Sequence, residues 1–332
     1  MRCIYVDSFS SSDLEGLKVG DLSPRYPAAQ AAADPDPTAW VRVRLRAASL
    51  NHHDLWSLRG VGLPESALPM VLGTDAAGTT EDGRDVIVHS VISSPTWAGP
   101  ETLDPDRTLL SEKYPGTFAE EIWVPARNLV DKPGELTFAE AACLPTAYLT
   151  AYNLLFASAN LEPGQRVLIQ GATGGVATAA TMLARAAGAH VTVTSRSEQN
   201  FAHARDVGAH EVVLSGERIR PVDAVIETVG AATWGHSLRS LKPGGVVAVA
   251  GATTGPDPSA DLARVFFRNL RIVGTTMGTR SQLQRLVDFL LAAALRPRIH
   301  AEFDFDSDAE VRRAFEEFDS GEVIGKAVLV RS

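Results

Sequence analysis

Arg166 to His190 reads RVLIQGATGGVATAATMLARAAGAH. It opens on Val167, Leu168 and Ile169, a short apolar run of the kind that forms a strand buried on both faces. Gly171, Gly174 and Gly175 follow. An alanine-rich segment with helical character then runs from Val176 to Ala187 and stops at Gly188, in the position of a C-terminal cap. Strand, glycine turn and helix set backbone N–H groups and a helix N-terminus against a phosphate. The turn Gly171, Ala172, Thr173, Gly174, Gly175, Val176 is the candidate phosphate cradle. GATGGVA departs from the standard G-x-G-x-x-G, so the turn by itself also fits a plain tight connection.

The next residues favour a nucleotide. After Gly188 comes a second strand, His190 to Thr194, ending at Ser195-Arg196-Ser197. At that position a carboxylate accepts from the 2′-hydroxyl of NAD, whereas an arginine accommodates the 2′-phosphate of NADP. Here Arg196 is present and no Asp or Glu precedes Glu198. NADPH is therefore the expected cofactor, with Ser195 and Arg196 at its adenosine end. The alternative for Arg196 is a solvated surface charge.

Outward from this unit, strands and helices alternate. Glu211 to Leu214 reads as a third strand and Asp223 to Glu227 as a fourth, ending in a turn at Val229. A helix from Trp234 to Leu241 precedes a fifth strand, Val246 to Ala250, ending at Gly251-Ala252-Thr253. Arg271 to Gly274 gives a sixth, followed by Met277, Gly278 and Thr279. Such alternation predicts a doubly wound parallel sheet whose ligand lies at the carboxyl ends of the strands.

The first third follows another grammar. Met1 to Val6 reads as a strand, and the stretch to Ala39 as irregular, broken at Pro24, Pro27, Pro35 and Pro37. WVRVRLRAA, from Trp40 to Ala48, alternates as a half-exposed strand with Val41, Val43 and Leu45 inward. A short helix is expected in SLNHHDLWSLRG, then strands around Asp82-Gly83, a long surface loop from Ser93 to Pro115, and a strand from Thr117 to Val124. Thr137 to Ala157 reads as a helical segment or pair, with Pro145 interrupting it. A helix from Gln282 to Leu295, then a strand, a helix and a last strand from Ala327 to Val330, are expected to return and complete the first module.

Composition sets the outer limits. The 332 residues suffice for two domains, and 45% apolar with 21% charged residues indicates a globular protein. A net charge of −9 speaks against a general nucleic-acid or anionic-membrane binder. No apolar run reaches ~18 residues. The opening MRCIYV lacks a secretory signal's basic and apolar regions, and two cysteines, Cys3 and Cys143, build neither a disulfide framework nor a metal cluster. A reduced, cytoplasmic setting is expected.

Taken together, AASLNHHDLWSLRG, LGTDAAG, GTFAEE (Gly116 to Glu121), LPTAYLTAYNLL, VLIQGATGGVATAA, GAHVTVTSRS, KPGG at Lys242, FFRNLRIVGTTMGT and IGKAVLV resemble the medium-chain dehydrogenase/reductase superfamily over essentially the whole chain. The quinone oxidoreductase-like branch is the nearest in kind. That resemblance implies a GroES-like β-rich catalytic domain at 1–127 and 278–332 around a Rossmann domain at 128–277, with NADPH in the cleft. Where zinc-dependent relatives carry a Cys, a His and a Cys or Asp on catalytic zinc, the matching residues are Asn51, Thr74 and Thr146. An amide and two hydroxyls are poor zinc ligands, so no metal is expected. His52, His53 and Asp54 would be the residues of any metal site.

Without a Lewis acid, an already activated acceptor such as a quinone or an α,β-unsaturated carbonyl is the expected substrate. The resemblance places Asn51 at the nicotinamide side, flanked by Thr74 and Thr146, and Met277, Gly278 and Thr279 at the nicotinamide and substrate end. His52, where many relatives have a tyrosine, is a candidate general acid, with cofactor binding and a structural role as alternatives. Lys326 in IGKAVLV is a candidate cofactor contact or a surface cation. In relatives a lysine often reaches the 2′-phosphate; the matching Asn200 leaves Arg196 to act alone. Relatives often dimerise through the edge that Arg271 to Thr276 resembles, so a homodimer acting on a small molecule is expected. The rival enzymes are a metal-free alcohol or aldehyde dehydrogenase and a pathway-specific enoyl reductase. The rival of another class is a non-catalytic NADPH-binding protein.

Overall fold

The computed structural model describes residues 1–10, 14–26 and 39–331. The expected breaks at Pro27, Pro35 and Pro37 lie outside the described residues. The chain forms two compact units. The first comprises Met1–Thr146, Thr279–Leu291 and Arg296–Ser332; the second comprises Ala147–Gly278 and Ala292–Leu295. The division thus follows Thr146, where the sequence suggested residue 127. The helix Phe138–Ala142 explains the shift, because it packs on strands of the first unit, above all Trp40–Ser49 and Ala76–Thr80.

The first unit is β-rich. Its larger sheet runs, in spatial order, Leu129–Asp131, Asp85–Val88, Ala76–Thr80, Trp40–Ser49, Lys326–Val330, Ile299–Asp304. Glu121–Pro125 pairs antiparallel with the front half of Trp40–Ser49, and Lys326–Val330 pairs antiparallel with its rear half. The alternation in that central strand holds where it was clearest. Val43 and Leu45 are buried against Ile122, Val124 and Leu329, while Arg44 and Arg46 face outward. Val41 is only partly buried, and Arg42 is half covered by ion pairs with Glu81 and Glu121. Leu17–Asp21, expected to be irregular, is an edge strand on Arg2–Val6. Within the Ser93–Pro115 loop, Leu110 and Ser111 are buried.

The second unit is a six-stranded, fully parallel sheet. Its order is Glu211–Leu214, His190–Ser195, Arg166–Ile169, Val222–Glu227, Leu241–Val249, Arg271–Gly274. Numbered by sequence this is 3-2-1-4-5-6, with a switch point beside the first strand. Val167, Leu168 and Ile169 are completely buried. The helix Gly175–Ala186 lays Ala179, Ala180, Leu183 and Ala184 inward, and Gly188 ends it at φ 82°. The fifth strand begins at Leu241, five residues earlier than its apolar run, and takes in Lys242-Pro-Gly-Gly.

Pro145 does not break the helical segment. A π-helical stretch, Leu144–Tyr148, follows Phe138–Ala142, and a second, Asn153–Ser158, follows Leu149–Tyr152. Widening the turn to i→i+5 bonds accommodates a residue that has no N–H to donate.

Candidate active site

Asn51 ends the central strand's run and precedes the helix His52–Leu58. Its backbone N–H donates to Asp54 Oδ2 at 2.8 Å, and Gly73 N–H donates to Asp54 Oδ1 at 3.0 Å. Gly73 has φ 99°, and a Cβ there would stand 2.4 Å from Phe118 Cδ1, so only glycine brings this N–H to the carboxylate. Burial is the main reason the Asp54 carboxyl is pushed up to about 6, with the Asp75 charge adding to it.

The Asn51 side chain lies in a wholly internal network. Lys326 Nζ, 2% exposed, donates to Leu50 O at 2.6 Å, Asn51 Oδ1 at 2.7 Å and Asp75 Oδ2 at 3.2 Å. Asp75, fully buried, also accepts at Oδ2 from Ser49 Oγ at 2.7 Å and Asn51 Nδ2 at 2.9 Å. Thr74 Oγ1 lies 3.2 Å from Asn51 Nδ2 and 3.1 Å from Thr146 Oγ1. Thr146 sits in the π-helical stretch and is the half-buried member of the group. Asn51, Thr74 and Thr146 therefore meet.

Two residues depart from expectation. His52 does not join the other three. Its ring is exposed, edge-on to Phe318 at 5.1 Å and near Trp56. Desolvation against these rings, and the Lys326 and Arg59 charges, hold its pKa below the usual histidine value. Lys326, a candidate cofactor contact or surface cation, is buried rather than at the surface and spends all three ammonium hydrogens inside the first unit. His53 turns to Ser111 and Glu112, and Asp54 to backbone N–H groups, so the triplet His52, His53, Asp54 does not converge. Among the described residues no three His, Cys, Asp or Glu side chains are grouped to hold a metal. Cys143 is buried, its thiol pushed up by burial, and it donates to Ala139 O at 3.2 Å, the behaviour of a packed apolar residue.

In the second unit the candidate cofactor residues gather at the carboxyl ends of the parallel strands. Gly171 takes φ 91°, and its N–H donates to Thr194 Oγ1 at 3.2 Å. Ala172 is nearly buried, Thr173, Gly175 and Val176 are half-buried, and Gly174 is exposed. Gly174 caps the twelve-residue helix and has no side chain, so no N-cap side chain takes up the first-turn N–H groups. That start fits a pyrophosphate. Ser195 Oγ accepts from Ser197 N–H at 3.2 Å, and Asn200 Nδ2 lies 3.4 Å from Ser195 Oγ. Arg196 is exposed and makes no ion pair among the described residues. Val229 O accepts from Thr254 N–H at 2.8 Å and from Thr253 Oγ1 at 3.4 Å, tying that turn to Gly251-Ala252-Thr253. Met277, at φ 50°, gives its carbonyl to Asn153 Nδ2 at 2.8 Å. Gly278 ends the second unit's longer segment; Thr279, on the first unit, caps Gln282.

Sequence reasoning missed the supports of these turns. Glu227, fully buried at the end of the fourth strand, accepts from Val229 N–H, Gly230 N–H, Thr233 Oγ and Ser237 Oγ. Gln170 accepts from Thr194 Oγ1 at 2.7 Å and donates to Ser237 Oγ at 2.9 Å. A glutamate and a glutamine terminating otherwise apolar strands were the available signal. Asp75 and Ser49 were missed likewise.

The alcohol dehydrogenase GroES-like domain matches residues 37–134, and a domain described as zinc-binding dehydrogenase matches residues 175–292. A zinc-type alcohol dehydrogenase-like protein of Schizosaccharomyces pombe is 33% identical over 316 residues, covering 87% of this chain and 90% of that protein. The acryloyl-coenzyme A reductase of Metallosphaera sedula is 28% identical, covering 89% of this chain and 94% of that protein. The crystal structure of an NAD-dependent alcohol dehydrogenase superposes with a TM-score of 0.87 at 31% identity, covering 99% of each chain. Zinc does not fit the donor set described above. Thr74 and Thr146 offer hydroxyls, both ends of the Asn51 amide are engaged, and an ammonium stands 2.7 Å from its oxygen.

Proposed function

The chain belongs to the medium-chain dehydrogenase/reductase superfamily as an oxidoreductase, and on that premise we propose that it reduces a quinone or an α,β-unsaturated carbonyl with NADPH and without catalytic zinc. The carrying observation is the Asn51–Thr74–Thr146 group: three neutral hydrogen-bonding side chains, backed by a buried lysine, at the positions where zinc-dependent relatives carry ligands. Bound NADPH supplies a hydride. The protein's share is to hold the acceptor, exclude water and hydrogen-bond the oxygen on which negative charge develops. A conjugated acceptor needs no more than that, because it delocalises the incoming electron pair onto its own oxygen. The relative named acryloyl-coenzyme A reductase carries such a conjugated carbonyl in its name.

For the cofactor, the uncapped helix start of Gly174 and Gly175 supports a pyrophosphate, and the unpaired Arg196 supports a 2′-phosphate. Val229, Gly251, Ala252, Thr253, Met277, Gly278 and Thr279 would line the rest of the dinucleotide. His52 lies outside the hydrogen-bonded group, packed against Phe318, which favours solvent over this ring as the source of the product's proton. The open edge strand Arg271–Gly274, with Ile272 exposed and Phe266 and Phe267 nearby in sequence, supports a homodimer.

The test is cofactor oxidation with NADPH and NADH against a naphthoquinone, an enone and a simple aldehyde, with and without EDTA. Quinone or enone turnover with NADPH, unchanged by EDTA, is the expected outcome. Aldehyde turnover abolished by EDTA would overturn the metal-free reading. Tight NADPH binding without turnover on any acceptor would make this a binding protein.

A further inference from the structure

The internal network of the first unit has a direction, fixed by which atoms lack hydrogens to give. Lys326 Nζ can only donate, so the Asn51 atom 2.7 Å away must be the amide oxygen. The other end of the amide faces the Asp75 carboxylate at 2.9 Å, which can only accept, so it must be the NH2 group. Its second hydrogen is directed at Thr74 Oγ1 at 3.2 Å, with Ser49 O at 3.3 Å sharing it. Thr74 is completely buried, and among the described residues its hydroxyl has one further hydrogen-bonding neighbour, Thr146 Oγ1 at 3.1 Å. Asn51 Nδ2 has no lone pair to receive the Thr74 hydrogen. Unless Thr74 donates to Thr146, a buried O–H is left without an acceptor. The order is therefore Lys326 to Asn51 to Thr74 to Thr146. Thr146, already accepting inside the protein, keeps its own hydrogen for the half-exposed side.

We propose that the Thr146 hydroxyl is the donor that meets the substrate's carbonyl oxygen, and that Lys326 is a positioning residue that polarises it through Asn51 and Thr74. The proposal rests on the reductase reading above. In it, the pair of electrons arriving with the hydride at the β-carbon displaces the π pair onto the carbonyl oxygen. Thr146 hydrogen-bonds the enolate so formed, and water protonates its α-carbon. The buried ammonium offsets the negative charge along hydrogen bonds that strengthen one another.

The test combines Thr146→Val, Thr146→Ser, and a pair variant, Lys326→Met with Asp75→Asn, which removes the cation without stranding a buried carboxylate. Thr146→Val is expected to lower kcat on an enone roughly 100-fold with the NADPH KM unchanged, and Thr146→Ser to restore it. The pair variant is expected to cost roughly tenfold in the wild-type background and almost nothing beside Thr146→Val, because both changes cut one chain. Equal cost in both backgrounds would make Lys326 merely structural. Full activity in Thr146→Val would overturn the donor assignment. A cofactor-free readout keeps the two readings apart: p-nitrophenol, whose phenolate imitates the enolate, should bind with a lowered pKa that Thr146→Val returns towards its solution value. If the wild-type protein reduces no conjugated carbonyl, the reductase reading falls, and this titration still decides the donor; an unshifted phenol overturns it.

Discussion

Asp54 holds its carboxylate wholly inside the first unit on two backbone N–H groups, and its titration can be read in stability. A folded pKa of about 6 stands above the ordinary 3.8. The folded state therefore binds the proton more tightly than the unfolded chain does. Its contribution is fully present below the unfolded value and is lost as pH rises through the folded one. The unfolding free energy of wild type minus that of Asp54→Asn should fall by about 3 kcal/mol from pH ~3 to pH ~7, most of it between ~4 and ~6, and then level off. Denaturant unfolding at a series of pH values measures it; a constant gap would refute the raised pKa. The neighbouring residues show what a sequence can and cannot disclose. Asn51, Thr74 and Thr146 were legible because the resemblance pointed to each as the match of a zinc ligand. The buried pairing of Lys326 was not, because its partners Asp75 and Asn51 lie 251 and 275 residues away and no local pattern marks it.

At the scale of elements, the strand–turn–helix around Gly171 was readable because period, length and punctuation all agreed. The π-helical stretch at Leu144–Tyr148 was not, since the rule that proline ends a helix assumes an i→i+4 ladder. Leu17–Asp21 escaped notice because LKVGD is short, lies on an edge and carries no alternation. The second strand of the parallel sheet carries its own prediction. Arg196 stands at its carboxyl end, exposed and without an ion pair among the described residues. Arg196→Glu should raise the KM for NADPH by roughly tenfold or more, the worth of one charge-assisted contact, and improve that for NADH. An unchanged ratio of the two would remove Arg196 from cofactor selection.

For the molecule as a whole, the open edge of the second unit's sheet is the feature most exposed to association. Arg271–Gly274 pairs on one side with Leu241–Val249, and Phe266 and Phe267 are 63% and 77% exposed. A second copy meeting that edge about a two-fold axis would continue the sheet and cover Ile272. Light scattering should report a dimer for the wild type and a monomer for Ile272→Asp. A wild-type monomer at micromolar concentration would count against the edge as an interface.

The distance along the chain between Asn51 and Lys326 also sets a timetable. At ordinary translation rates, about 14–55 s separate the synthesis of these two residues. Throughout that interval the Asp75 carboxylate has no lysine to pair with, while the whole of the second unit is made. The first unit is thus begun first and finished last. In a growing chain, the parallel sheet can close while the hydrogen-bonded chain ending at Thr146 still lacks its source of charge.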